Sequence, residues 1–407
     1  MKENRKGDIF MSLVNTPSGN RLHIGIFGKR NSGKSSLLNA ITGQEIALVS
    51  EVKGTTTDPV SKAMEIHPIG PCLLIDTAGF DDTGDLGNMR IEKTKAVLDK
   101  TDVAVVVFSD MQMELETQWI AMLRQRKIPI LAVVNQVDRI EQVQEIKRQI
   151  EQRFSLTPLL VSAKEKTGIS QMKHEILRLM PPDFEAQILT GSLVQPEDVV
   201  LLVMPQDKQA PKGRLILPQV QTIRDLLDNH CVVMCVTTEQ LSTALQALAK
   251  PPKLIITDSQ AFAQVYPLKP AETLLTSFSI LLAAYKGDLS AFVKGANALD
   301  SLTDDSHVLI AEACTHAPLQ EDIGRVKIPN MLRKKYGEHL QVTVVSGSQF
   351  PKDLSEYQLI IHCGACMFNR KHVLTRVEQA EQQGVPITNY GVVLAKLTGI
   401  LDRISMQ

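Results

Sequence analysis

The sequence predicts an α/β protein of three domains, each a mostly parallel sheet covered by helices, the first larger than the two that follow. Two observations carry that reading. Short runs rich in β-branched residues alternate with helix-patterned stretches along nearly the whole chain, the order that parallel strands joined by crossover helices produce. The chain has 407 residues, 43% of them apolar and 22% charged, which is enough for two or three separate cores.

From Arg21 the strands LHIGIF, CLLID, VAVVVF, IPILAVV and TPLLVS each run into polar or glycine-containing loops. Pro181 and Pro182 stop the helix that carries Ile176 and Leu177, because proline removes a helical hydrogen bond and clashes with the preceding turn. The first domain therefore spans 21–180, behind a loosely held tail at 1–20. The strands DVVLLVM, HCVVMCVT and KLIITD, with the helix EQLSTALQALA, set out a second domain at 185–268. The run AETLLTSFSILLAAYKG reads as one helix closed by Gly287. The third domain, 270–407, carries the strands HVLIAEA, LQVTVVS, YQLIIH and VPIT, with helices after Pro329 and Arg370.

Composition narrows the function. A formal net charge of -1 gives no global attraction to nucleic acid or to an anionic membrane. No apolar run approaches the roughly 18 residues of a spanning helix, and the first twenty residues contain no uninterrupted apolar signal core. A cytoplasmic protein is expected, its six cysteines reduced and serving as core residues or ligands.

One motif is dense with mechanism. GKRNSGKS, Gly28 to Ser35, fits G-x-x-x-x-G-K-[ST] and lies between a strand and the helix SSLLNAITG. Its glycines, Gly28 and Gly33, let backbone N–H groups curl around phosphates, with Asn31, Ser32 and Ser36 in the same cradle. Lys34 reaches the β and γ phosphates and the Ser35 hydroxyl suits Mg²⁺. Three further segments close strands: Asp76-Thr77-Ala78-Gly79, Asn135-Gln136-Val137-Asp138 and Ser162-Ala163-Lys164. Ligands of doubly wound sheets bind at such strand ends.

With these residues the chain resembles the P-loop GTPases of the TrmE, Era and EngA branch. The resemblance implies GTP/GDP and Mg²⁺ as ligands, Asp76 holding the metal through water, and Asn135 with Asp138 reading guanine. It also implies Thr56, in GTTTD, as a second Mg²⁺ ligand and Asn31 as a K⁺ ligand. Two departures stand out. Gln136 replaces the family's lysine, so lowered affinity is expected, and Phe80 follows DTAG where Ras-like enzymes carry a water-orienting glutamine, so slow turnover is expected. The sequence names no catalytic base.

The other constellation is Cys314-Thr-His316, closing HVLIAEA, and His362-Cys363-Gly-Ala-Cys366, closing YQLII. Both follow predicted strands of one parallel sheet, whose ends share an edge, so three thiols and two imidazoles converge. A structural zinc site, an iron–sulfur site and a thiol–disulfide pair all remain open on ligand chemistry. Cys231 and Cys235, four residues apart in a strand, lie about 13 Å apart, and with Cys72 they read as core residues.

A GTPase domain followed by C-x-H…H-C-x-x-C resembles the HydF family of [FeFe]-hydrogenase maturation factors over essentially the whole chain. That resemblance implies a scaffold holding a [4Fe–4S] cluster on Cys314, Cys363 and Cys366, with His316 and His362 either ligands or neighbours and an acidic side chain able to fill the fourth position. It implies receipt of a diiron unit from the radical-SAM maturases HydE and HydG, delivery to apo-hydrogenase, and a middle dimerisation domain, hence a homodimer or larger assembly. A ribosome- or RNA-acting GTPase with a structural zinc is the alternative, disfavoured because the C-terminal half shows no basic G-x-x-G clamp and no aromatic stacking platform. A nucleotide-gated thiol oxidoreductase would leave Cys314 and both histidines without a role.

Overall fold

The computed structural model describes residues 16–43, 60–77, 96–182, 184, 188–205, 215–313, 322–347 and 349–406. It divides into two compact units, Met1–Glu185 and Ala186–Gln407.

In the first unit six strands form one sheet: β1 (Leu22–Gly28), β2 (Val60–Ile66), β3 (Gly70–Asp76), β4 (Val103–Phe108), β5 (Ile130–Val134) and β6 (Leu159–Leu160), ordered β2-β3-β1-β4-β5-β6. All pair in parallel except β2, which runs antiparallel to β3. Every residue of β1 and β4 is buried, which is why these central strands read as continuous apolar runs. Absent from the sequence expectation is β2, an edge strand whose VSKAMEI half-alternates between polar and apolar residues. Helices α1 (Lys34–Thr42), α2 (Glu114–Gln125), α3 (Val143–Phe154) and α4 (Ile169–Leu179) cover the sheet. On α3, Ile146, Ile150 and Phe154 are buried at four-residue spacing, the stripe that seats an amphipathic helix. Each such side chain contributes roughly 1.5–3 kcal/mol by leaving water.

The second unit holds two four-stranded parallel sheets. In one, β7 (Val199–Val203), β8 (Val232–Val236), β9 (Leu254–Thr257) and β10 (Leu274–Ser277) are ordered β10-β9-β7-β8. In the other, β11 (His307–Glu312), β12 (Gln341–Ser346), β13 (Leu359–His362) and β14 (Ile387–Asn389) are ordered β12-β11-β13-β14. The helices are α5 (Leu217–Asp228), α6 (Leu241–Ala247), α7 (Phe278–Lys286), α8 (Leu289–Ala296), α9 (Ile328–Tyr336), α10 (Arg370–Gln382) and α11 (Tyr390–Leu397). One apolar cluster runs from Leu201 and Ile255 through Ile280 and Phe292 to Leu309 and Ile360. Close approach shapes it: a Cβ at Gly295, on α8, would collide with the Ile387 carbonyl of β14.

Two expectations change here. AETLLTSFSILLAAYKG is a strand and a helix, not one helix: β10 ends at Ser277, whose side chain caps α7 by accepting the Ile280 N–H at 3.3 Å. Gly287 does close α7, its N–H reaching Ala283 O at 3.0 Å. Cys72 and Cys231 are buried as expected, but Cys235 is exposed, because β8 is an edge strand and also exposes Val232. Among the described residues no helix is long and apolar enough to cross a membrane.

Candidate functional site

The parallel order of β1, β3, β5 and β6 brings the loops that follow them to one edge of the first sheet. After β1 the chain enters left-handed backbone at Asn31 (φ 62°) and Gly33 (φ 83°), and α1 starts at Lys34. The first-turn N–H groups of α1 therefore face the loop with no helical partner, the arrangement that receives phosphate. Lys34 is buried and folds over this loop, its Nζ donating to the carbonyls of Gly28 and, at 2.8 Å, Lys29.

Asn135 braces the loop from β5. Its fully buried amide donates to Ser32 O at 3.0 Å and Gly33 O at 3.3 Å, while Oδ1 accepts the Ala163 N–H at 3.3 Å. A Cβ at Gly33 would strike that amide, so glycine is required there by closeness as well as by φ. Gln136 adds a second brace, Nε2 to Asn31 O at 2.8 Å. The tie from this position to the phosphate loop thus survives the loss of lysine. Asp138 is oriented from the segment after β6: Ser162 Oγ donates to its Oδ1 at 2.6 Å, and that bond holds the carboxyl below its ordinary range. Lys164, by contrast, lies out at the surface 3.6 Å from Glu165. Buried Asp76 pairs in register with Ile26, whose carbonyl accepts both the N–H and, at 2.6 Å, the hydroxyl of Thr77. Thr56, Gly79 and Phe80 lie outside the described residues.

Sequence reasoning missed one part of this edge. Lys29 sits 2.8 Å from Asp110 and 3.9 Å from Glu116 in the first turn of α2. Glu116 is buried with no hydrogen bond to Oε2, and desolvation pushes its carboxyl up to about 7 despite Lys29. Glu116 lies at the start of an amphipathic helix, where an acidic residue ordinarily faces solvent, so nothing in the sequence marked it.

In the second unit, β11 and β13 are neighbours with Ala311 opposite His362. The strand ends meet there. Cys363 N–H donates to Ala311 O at 2.9 Å, and Cys363 Sγ accepts two backbone N–H groups, Ala313 at 3.0 Å and Ala365 at 3.4 Å. Ala365 adopts φ 53°, a left-handed turn that non-glycine residues take only at a cost, and its N–H is one of the two on that sulfur. Paired N–H donors stabilise a thiolate. Cys366 is half-buried and packs against the apolar group that includes Leu202 and Leu282. Cys314 and His316 lie outside the described residues, Cys314 being the residue after Ala313.

His362 is fully buried with both ring nitrogens engaged: Nδ1 lies 2.8 Å from Cys363 O and Nε2 3.0 Å from Arg376. Burial, and next the Arg376 charge, push its pKa down to about 3, so the ring is neutral. Glu312, at the end of β11, is likewise committed, accepting from Arg325 Nε at 3.1 Å, Tyr390 Oη at 3.3 Å and Ser346 Oγ at 3.4 Å. No group of three His, Cys, Asp or Glu side chains able to hold a metal is found among the described residues. The donor chemistry at Cys363, a sulfur served by two N–H groups of which one belongs to Ala313, the residue before Cys314, nonetheless suits a thiolate-bound metal group.

Fold and site together define a P-loop GTPase domain joined to two further parallel-sheet domains, and comparison with known proteins agrees. A model described as 50S ribosome-binding GTPase matches residues 23–136, one for the hydrogen maturase F dimerization domain matches 189–287, and one for the hydrogen maturase F tetramerization domain matches 290–406. The chain belongs to the hydrogen maturase F, or HydF, family. Curated relatives of the first unit include GTPase Der of Wolinella succinogenes, 33% identical over 186 residues, which are 42% of this chain and 38% of that protein. The tRNA modification GTPase MnmE of Bordetella petrii is 38% identical over 162 residues, 39% of this chain and 33% of that protein. The chain thus spans little more than a third of the length of these relatives. Among solved structures, Era Y63A of Aquifex aeolicus bound to GDP.AlF4- aligns with TM-score 0.34 and 19% identity, covering 53% of this chain and 92% of that one.

Proposed function

We propose that this protein binds and hydrolyses GTP with Mg²⁺ and serves hydrogenase maturation as an iron–sulfur scaffold, with a [4Fe–4S] cluster held by Cys314, Cys363 and Cys366. The observation that carries the reading is the pair of N–H donors on Cys363 Sγ, one of them from Ala313. Three cysteines would leave one iron with an exchangeable ligand, which is what docking of a second metal unit needs. Cys363 is set by the β11–β13 register and its two N–H bonds, while half-buried Cys366 rests against an apolar wall. In the first unit Lys34 and the first turn of α1 receive the phosphates, Ser35 and Thr56 ligate Mg²⁺ with Asp76 behind its water, and Asn31 supports a K⁺ ion. Asp138, oriented by Ser162, accepts two hydrogen bonds from guanine.

The cargo in this reading is a diiron precursor, received from the maturases HydE and HydG and passed to apo-hydrogenase by a dimeric or larger assembly. GTP binding regulates those associations, and cluster assembly does not consume the γ-phosphate. Anaerobic reconstitution with iron and sulfide tests the core claim on wild type and Cys363→Ser. Wild type gives a [4Fe–4S] EPR signal on reduction and the variant gives none. Stoichiometric zinc with no cluster in wild type would overturn the scaffold. Loss of the cluster in Lys34→Ala would overturn the separation of its assembly from hydrolysis.

A further inference from the structure

Beside the cysteine corner lies a buried cation that no motif marks. Arg376, on α10, is 3% exposed. Its guanidinium lies between two rings, 4.9 Å from the centroid of Phe350 and 4.8 Å from that of Phe368, and Phe368 is stacked in turn on His372 at 4.0 Å. One nitrogen donates to Gly347 O, and another meets His362 Nε2 at 3.0 Å.

That last contact fixes a proton. Arginine cannot give up its hydrogens, so it must donate and Nε2 must accept. The imidazole proton is then on Nδ1, where it donates to Cys363 O at 2.8 Å, a carbonyl able only to accept. Both ends of the ring demand the same tautomer. A ring with both nitrogens spent and no exposed surface has no lone pair left for a metal, so His362 orients the loop rather than ligating.

Resting on the scaffold reading above, we infer that Arg376 is a positioning residue for the cluster: through His362 it fixes the Cys363–Gly364 peptide, and its charge raises the reduction potential of the group held there. Held by its carbonyl, the peptide keeps the turn in which Ala365 N–H reaches Cys363 Sγ. A fixed positive charge in a poorly solvated setting favours whichever redox state carries more negative charge, which is the reduced one. Partners one step removed from a metal ligand commonly change metal affinity by about 10–100-fold when lost.

The test uses the full chain, reconstituted anaerobically, with iron and sulfide content, a redox titration followed by EPR, and nitrogen couplings from pulsed EPR. Arg376→Met binds the cluster about 10–100-fold more weakly, and what it retains titrates at a more negative potential. Arg376→Lys restores the charge and moves the potential back toward wild type. His362→Gln, which can still accept from Arg376 and donate to Cys363 O, retains more cluster than His362→Leu, which can do neither, and this pair keeps the inference testable if Arg376→Met fails to fold. Wild-type potential and iron content in Arg376→Met would overturn the inference while leaving the scaffold standing. So would a directly bound nitrogen in wild type that vanishes in His362→Gln. A wild type that holds no cluster at all would overturn the scaffold reading, and the inference with it.

Discussion

The phosphate loop and the cysteine corner are both built at the ends of parallel strands, yet they are held in different ways. At the phosphate loop the bracing residue is itself part of a sequence motif: Asn135 of NQVD ties Ser32, Gly33 and Ala163 through one buried amide. At the cysteine corner part of the bracing comes from outside the motif. Arg376, fourteen residues past His362 on α10, reaches the Cys363 carbonyl through the His362 ring. A site that binds a mobile ligand through main-chain N–H groups needs a loop of set shape, and a contiguous motif encodes that shape. A site made of thiols from separate strands needs its register fixed and its buried charges arranged, and those come from packing.

Sites held in such different ways fail independently. The largest effect expected is from Cys363→Ser, which abolishes cluster binding and leaves GTP affinity as it was, read by iron analysis and nucleotide titration on the same preparation. Matching losses at both sites would end the independence. Next is Asp138→Asn. Two hydrogen bonds to a carboxylate are worth about 1.5–3 kcal/mol each, so GTP binding weakens on the order of 10²–10⁴-fold, and XTP, whose carbonyl replaces the guanine amino group, gains. An unchanged GTP preference would remove Asp138 from the base-reading role.

The same contrast separates what was legible in the sequence from what was not. GKRNSGKS, DTAG, NQVD and SAK were readable because each is short, follows an apolar run and has a chemistry tied to residue type. The adjacency of the β11 and β13 ends was readable from HVLIAEA and YQLII as strands of one sheet. Where β10 ends was not: Leu274 through Lys286 is largely apolar and mostly buried, so no periodicity marks where strand gives way to helix. The cue was Ser277, a capping residue within the run. Arg376 and Glu116 were invisible for another reason, since burial of a charged residue is decided by what packs over it, and on a helix each looked like an ordinary solvated position.

Glu116 turns that invisibility into a pH dependence. Folded, it keeps its proton up to about 7, whereas unfolded it releases it near its ordinary value. Between those limits the folded state binds more protons, so its contribution to stability falls as pH rises. Lys29 and Asp110 face it from the phosphate loop and from the segment after β4, with Glu114 on its own helix. Glu116→Gln flattens this slope between pH 5 and 7 and is more stable than wild type at pH 8 by on the order of 1–3 kcal/mol. Parallel pH profiles for the two proteins in thermal unfolding would show that the carboxyl is ionised throughout.

The smallest effect concerns Gln136, where lowered nucleotide affinity is the expectation from the missing lysine. The structure supplies a reason for the loss to be slight: Gln136 Nε2 already donates to Asn31 O at 2.8 Å, and Asn135 holds Ser32 and Gly33 independently. A lysine could make the same bond to Asn31 and would add an aliphatic stem against the base, while giving up no other side-chain hydrogen bond that glutamine makes among the described residues. Since a net hydrogen bond is worth about 0.5–1.5 kcal/mol, Gln136→Lys should change GTP affinity by no more than about tenfold, and Gln136→Ala should weaken it by a similar factor. A hundredfold gain in the lysine variant would mean that packing on the base, and not bracing of the loop, is what this position contributes, and Asn135 would then be the residue of NQVD that sets the shape of the loop.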